Sequence, residues 1–371
     1  MNDFKVKNLL DWHLLNKDQN LFGRRIVFDM INPIIKKLPD LFNIEQIGIS
    51  FHKIPIYKIS IGNGKTKILI WSQMHGNEST GTKAIFDLFQ FFINPNDNNS
   101  IAAKILEECT LVFMPMLNPD GAEVYTRVNA QGIDLNRDIL DLKSPESKIL
   151  TGLLKEFSPH FCFNLHDQRT IYSVGFKKLP ATISFLAPSE NKERTVTKGR
   201  KVTMSVIAAM NNCLQKIIPE QVGRYTDEFY PTATGDNFQK AGHHTILIEA
   251  GHFQDDYDRE KVRQFNFLAL ISGLHNISLN LKSNNFKTYF EIPNNENYYL
   301  DIIYKNVFLS DKNRTVDVGV IFKEVLISNE VVFKPHVEYV KDLSNYNANL
   351  IIDKEMQAFK SKEKLKEFIE Y

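Results

Sequence analysis

Apolar residues along this chain recur in two alternating rhythms. Short β-branched or aromatic runs fit strands at Gln46–Phe51, Ile56–Ile61, Lys67–Gln73, Thr110–Met116, His160–Leu165, Ser184–Ala187 and His244–Glu249. Longer stretches with apolar residues three and four apart fit helices at Gly81–Phe92, Ser144–Phe157, Asn191–Gln215 and Arg259–Leu281. Strands that alternate with helices predict an α/β fold with a mixed, mostly parallel sheet sandwiched by helices. Gly62-Asn-Gly-Lys-Thr66 has the look of a phosphate loop, but Ile59 occupies the position of its first glycine. The segment therefore reads as a hairpin turn joining Ile56–Ile61 to Lys67–Gln73. Beyond Ser283 the rhythm changes. Asparagine-rich turns separate β-rich segments at Tyr298–Tyr304, Val316–Phe322, Glu330–Phe333 and Leu350–Ile352, and an amphipathic helix is expected over 354–369. The pattern divides the chain into an α/β domain, 1–283, and a small β-rich C-terminal module with a closing helix, 284–371.

Composition narrows the functional classes. A length of 371 residues exceeds what one core usually supports, in keeping with that division. The net charge of +1 supplies no field for nucleic acid or for an anionic membrane surface, so neither partner is expected. No apolar run approaches bilayer length. The amino-terminal residues lack the charged-then-apolar pattern of a secretion signal, so a cytoplasmic home is expected. Cys109, Cys162 and Cys213 are odd in number and widely spaced, and read as buried apolar residues in a reducing compartment.

Chemistry gathers at the carboxyl ends of the expected strands, where open α/β sheets hold their ligands. His75 and Glu78 follow the run Ile68–Met74, three residues apart, and are capable of sharing a metal ion. Asn118-Pro-Asp-Gly121 forms a turn behind the next strand, and Arg127 follows it with N–H donors suited to a developing oxyanion. Arg137, with Asn136 beside it, offers a planar fork for a carboxylate. His166 and Glu249 each close a further apolar strand, the first as a third metal ligand, the second as a proton-transfer group. His243 and His244 read as ordinary loop residues.

Over roughly residues 46–255 the chain resembles the M14-type zinc carboxypeptidase family. The resemblance rests on Ile47–Tyr57, His75-Gly-Asn-Glu78, Asn118-Pro-Asp-Gly121, Gly132-Ile-Asp-Leu-Asn-Arg137, His166, Tyr230-Pro-Thr-Ala-Thr-Gly235 and Glu249, in the family's order. It implies one zinc ion per chain held by His75, Glu78 and His166, with Asp134 orienting His75. It also implies Glu249 as general base and Arg127 as polariser of the scissile carbonyl. Asn136 and Arg137 would bind a terminal carboxylate, and Tyr230 would close over the substrate. Asp236 falls near the side-chain pocket and would favour a basic residue there. The chain departs from the family at Asp138, which sets a carboxylate beside the clamp, and at His52-Lys53, where an arginine is usual. The implied activity is hydrolysis of a peptide or amide bond next to a free carboxylate. Related alternatives are a γ-glutamyl–diaminopimelate amidase and an N-acyl amino acid deacylase. A non-catalytic zinc or peptide-binding module is the alternative of another class. Oligomeric state and the role of 284–371 are not legible.

Overall fold

The computed structural model describes residues 6–176, 178–279 and 285–359. Eight strands form one sheet. In chain order they are β1 (Asn43–Ile49), β2 (Pro55–Ile61), β3 (Thr66–Ser72), β4 (Cys109–Met114), β5 (Phe161–Asp167), β7 (Ile183–Leu186), β8 (Val222–Arg224) and β9 (His244–Ala250), with the two-residue β6 (Ser173–Val174) outside the sheet. Their spatial order is β1-β2-β4-β3-β5-β9-β7-β8. The neighbours β4–β3, β3–β5, β5–β9 and β7–β8 run parallel, while β1–β2, β2–β4 and β7–β9 run antiparallel. The sheet is mixed and mostly parallel, as the alternating rhythm predicts.

The alternation of side chains on β3 shows why helices must cover both faces. Ile68 and Ile70 join one apolar cluster; Leu69 and Trp71 join the other. The larger cluster is closed by α1 (Val6–Asn16), α2 (Phe28–Ile35), α3 (Thr80–Ile93), α4 (Asn99–Glu108), α7 (Lys198–Leu214) and α9 (Glu260–Ser278). The smaller is closed by α6 (Pro145–Phe157) and α8 (Thr234–Lys240), through Leu150, Leu153, Leu154 and Phe238. The single turn α5 (Pro119–Glu123) follows β4, in the chain between His75–Glu78 and His166.

The segment 62–66 is not a hairpin turn. Strand β4 lies between β2 and β3, so the loop crosses the start of β4 instead of joining paired neighbours. A Cβ on Gly64 would overlap the backbone of Glu108 and Cys109. The glycines are required by that close approach. The true first hairpin is β1–β2. Its turn closes with a Ser50 N–H to Ile54 carbonyl bond of 2.8 Å, and Asp120 holds it through the Ser50 hydroxyl at 2.6 Å and the His52 amide at 3.0 Å. Helix α7 begins at Lys198, seven residues after the expected start at Asn191. The Thr197 hydroxyl caps it by accepting the Arg200 amide at 3.1 Å.

Residues 285–291 form a 3₁₀ turn whose Tyr289 hydroxyl accepts the Ala187 amide, and β10 (Asn295–Glu296) pairs with β6. Both belong to the α/β body, and the boundary expected at 284 lies outside the described residues. The β-rich sheet then runs β13-β12-β11-β14, built from β11 (Tyr299–Leu309), β12 (Arg314–Ile327), β13 (Glu330–Lys341) and β14 (Asn347–Asp353), with β15 (Ala358–Phe359) beside β11. Strands β12 and β13 are far longer than the expected runs. Their connection is tight, with Ser328 and Asn329 at φ 50° and 69°, the positive values that two-residue hairpin turns require. Most of the helix expected over 354–369 lies outside the described residues.

Candidate active site

Three parallel strands, β3, β5 and β9, end side by side and set the site. The backbone beyond β3 turns sharply at Gln73, a non-glycine residue at φ 50°. Its amide side chain holds this conformation, donating to the carbonyls of Ile26 at 2.8 Å and Gly76 at 2.9 Å and accepting the Thr82 hydroxyl at 2.8 Å. A left-handed residue secured on both sides is the kind of local strain that functional turns retain. The turn that follows packs against the next motif. A Cβ on Gly76 would overlap the backbone of Gly121 and Ala122. Asn118 completes the junction: its side chain donates to the Met74 carbonyl at 3.2 Å and accepts the Gly121 amide at 2.9 Å.

His75, Glu78 and His166 converge here, all buried, with donor atoms within 4.8 Å of one another. Glu78 Oε1 lies 2.8 Å from His75 Nδ1, and Glu78 Oε2 lies 2.8 Å from His166 Nδ1. The two Nδ1 atoms are 3.2 Å apart. His75 Nε2 meets Asp134 Oδ1 at 3.1 Å. A neutral His75 that donates its Nε2–H to Asp134 keeps its lone pair on Nδ1. Buried lone pairs that face one another across a carboxylate fit a cation, and two imidazoles with one carboxylate suit zinc. The charges agree. Burial works against ionised Glu78, yet the two histidines hold its carboxyl well below the usual range. Burial likewise opposes protonation of His75, but Glu78 and Asp134 raise it; at His166 burial prevails and the pKa falls.

Arg127 reaches the same centre. Its Nε donates to Asp134 Oδ2 at 3.0 Å, while Nη1 stands 3.3 Å from His75 Nδ1 and 3.5 Å from Glu78 Oε1. Glu249 lies opposite His166 in the β5–β9 register. Burial, and after it the negative charges of Glu78 and Asp167, push its carboxyl well above the ordinary carboxylate value. A buried carboxyl with a raised pKa beside a metal-capable triad is equipped for proton transfer.

One cavity of about 580 Å³ is lined by the triad, Arg127, Glu249, Asn136, Arg137, Tyr230 and Asp236. The Asn136 side-chain oxygen accepts the Thr234 amide at 3.1 Å, tying the 134–137 loop to α8. The Arg137 guanidinium lies 5.4 Å from the Tyr230 ring centroid, a cation–π approach. Tyr230 is exposed and its hydroxyl donates to Glu228 at 3.1 Å. Asp236 sits buried in the first turn of α8, where burial pushes its carboxyl up to about 7. Asp138 does not flank the clamp as expected. Its carboxylate accepts the Lys143 and Ser144 amides, each at 2.9 Å, so it braces the start of α6. His243 bonds the Pro159 carbonyl at 2.7 Å, and neither it nor His244 lines the cavity.

A family model described as zinc carboxypeptidase matches residues 28–163. That span includes His75, Glu78, Arg127 and the 134–137 loop, all in place at the site just described. This region is similar to the M14 zinc carboxypeptidases. Carboxypeptidase 2 of Trichophyton rubrum is 32% identical over 30% of this chain and 21% of its own length. Human carboxypeptidase D is 24% identical over 42% of this chain and 13% of its own length. The matched region is thus 21% and 13% of these relatives' own length. Among solved structures, carboxypeptidase A from Helicoverpa armigera aligns over 75% of this chain and 80% of its own, with a TM-score of 0.55 and 13% identity. A metallo-carboxypeptidase from Burkholderia cenocepacia aligns over 68% of each chain, with a TM-score of 0.54 and 16% identity. Both share the carboxypeptidase fold.

The site has parts that pattern reading missed. Asp301, Ile321, Phe322, Lys323 and Glu324 of the β-rich sheet line the cavity, with Arg24, Asp167 and Arg259 beneath them. Glu324 accepts Arg24 Nη2 at 2.6 Å and the Tyr125 hydroxyl. Arg259 Nη1 lies 3.1 Å from Asp167, whose amide donates to Glu78 at 3.1 Å. Each partner stands far from the other in sequence, and a charged residue within a β-run is ordinarily solvated, so no local signal marked these pairs.

Proposed function

We propose that this protein is a metallocarboxypeptidase, hydrolysing a peptide or amide bond next to a free C-terminal carboxylate. The observation that carries the reading is Glu249, a buried carboxyl with a raised pKa set beside the His75–Glu78–His166 triad, in one cavity with the Asn136–Arg137 clamp. A module that only bound zinc or peptides would have no need of such a base.

His75, Glu78 and His166 would hold one zinc ion, which when bound supplies Lewis-acid activation of water and carbonyl. Asp134 fixes the His75 tautomer and tethers Arg127. Arg127 presents N–H donors where the scissile carbonyl oxygen gains charge. Glu249 takes a proton from the attacking water and delivers it to the leaving amine. Asn136 and Arg137 bind the terminal carboxylate, and Tyr230, already stacked on Arg137, closes beside it. A substrate carboxylate next to the scissile bond would suit a carboxypeptidase, an amidase or a deacylase; the family match favours the first. All three cysteines are buried and free, which supports a reducing, cytoplasmic setting as part of the same proposal.

The test is hydrolysis by the zinc-loaded protein of C-terminal peptides, γ-glutamyl peptides and N-acyl amino acids. Peptide turnover should vanish on chelation and return with zinc. Glu249→Gln should lower kcat by about 10²- to 10⁴-fold while zinc and peptide affinity persist. Undiminished turnover in either case would remove the mechanism.

A further inference from the structure

The cavity has two chemically different ends. Around Asn136 and Arg137 stand Tyr230, Glu228 and Asp236, on the loop that also carries Asp134 and so touches His75. Around Glu324 stand Arg24, Asp167 and Arg259, which touch the triad through the Asp167 amide on Glu78. The triad lies between the two groups. A substrate with its carboxylate at Arg137 and its scissile carbonyl at the triad must direct its remaining, acyl portion toward the β-rich sheet.

The charges at that end are unequal. Glu324 is engaged by Arg24 and Tyr125, Asp301 by the Tyr257 hydroxyl at 2.8 Å and the Phe322 amide at 2.6 Å, and Asp167 by Thr80 and Arg259. Two of the cations there are not. Lys323 and Arg169 both line the cavity and are exposed, and among the described residues neither has an ion-pair partner. Strand alternation puts Lys323 on the face of β12 that carries Ile321, which like Tyr339 packs on the Leu300–Ile303–Leu343 cluster, and opposite the face that carries Phe322 and Glu324. Arg169 stands 6.0 Å from the centroid of the Tyr172 ring, which packs edge-on against Tyr225, and all three line the cavity that holds Glu249.

We infer that β12 forms the acyl-side subsite and that Lys323 and Arg169 select an acyl group or penultimate residue carrying a carboxylate. This rests on the carboxypeptidase reading for the orientation of the substrate. The test compares N-acetyl-Glu-Leu with its neutral isostere N-acetyl-Gln-Leu on the zinc-loaded protein. The acidic substrate should be preferred in kcat/KM, on the order of threefold to tenfold for two partly exposed cations, and added salt should shrink the preference. The ratio should fall toward one in Lys323→Gln with Arg169→Gln, and invert in Lys323→Glu. An unchanged ratio in these variants, or none in the wild type, overturns the inference. Calorimetric binding of the same two compounds to the zinc-loaded Glu249→Gln protein separates the two readings. A binding preference without turnover in the wild type sinks the hydrolase and keeps the subsite. Turnover with equal affinities does the reverse.

Discussion

Environment, more than residue type, divides the labour among the carboxylates of this cavity. Glu78 is held ionised by two imidazoles, whereas Glu249, buried with like charges nearby, is pushed toward the neutral form. Asp236 lies between these cases. Burial raises it to about 7, with Arg137 pulling the other way. Its carboxyl is neutral below that pH and charged above it. If Asp236 faces the side chain of the C-terminal residue, the preference for peptides ending in Lys over those ending in Leu should grow between pH 6 and pH 8. Measured as a ratio of kcat/KM, the rise should be absent in Asp236→Asn. A ratio that stays flat in the wild type would remove Asp236 from the specificity pocket.

At the scale of elements, two glycine-bearing turns from different strand ends are fitted together. The turn at His75–Glu78 presses on the one at Asn118–Gly121, with no room for a Cβ at Gly76. Gly76→Ala must displace backbone, because the atoms it meets are not the tips of flexible side chains. Zinc affinity should drop at least tenfold, within the 10- to 100-fold range seen when support of a metal ligand is lost. Competition with a chromophoric chelator reads this directly. Undiminished affinity would mean that ligand geometry does not depend on the junction. The same element-level view explains the misread loop at 62–66. A Gly-Asn-Gly sequence between two strands reads equally as a hairpin turn or a crossing, and only the insertion of β4 between β2 and β3 decides it.

On the whole-molecule scale, the amino-terminal segment is fastened to the body by a buried ionic cluster. Asp87 accepts Arg263 through both oxygens at 2.6 and 2.7 Å, His13 at 2.8 Å and the Asp18 amide at 2.9 Å. Its folded pKa is lowered to about 2, burial being outweighed by Arg263 and His13, while an unfolded aspartate titrates near roughly 4. A depressed carboxylate contributes stability that is fully present above the unfolded pKa and lost as pH falls through the folded one. The melting temperature should therefore decline between about pH 4 and pH 2. Asp87→Asn leaves the buried Arg263 with Glu260, at 3.1 Å, as its remaining carboxylate partner and should cost roughly 3 kcal/mol at neutral pH. Urea unfolding measures that loss, and a cost under about 1 kcal/mol would reduce the cluster to a passive contact.

The sequence by itself determined the α/β scaffold and most of the chemistry. Periodicity places β3, β5 and β9, and the residues that end such strands necessarily emerge at one edge, so His75, Glu78, His166 and Glu249 were legible before any distance was known. Helices with weak or interrupted patterns were not: α2 contains Pro33, and α5 is a single turn. Tertiary structure alone decided which side chains meet. It turned Asp138 away to brace α6, inserted β4 between β2 and β3, and brought Glu324 to Arg24 across 300 positions of chain. It also made the β-rich sheet a wall of the cavity that holds the His75–Glu78–His166 triad. Periodicity reports a residue's own burial and little of its partner's identity; long-range pairing of charges leaves no local pattern to read.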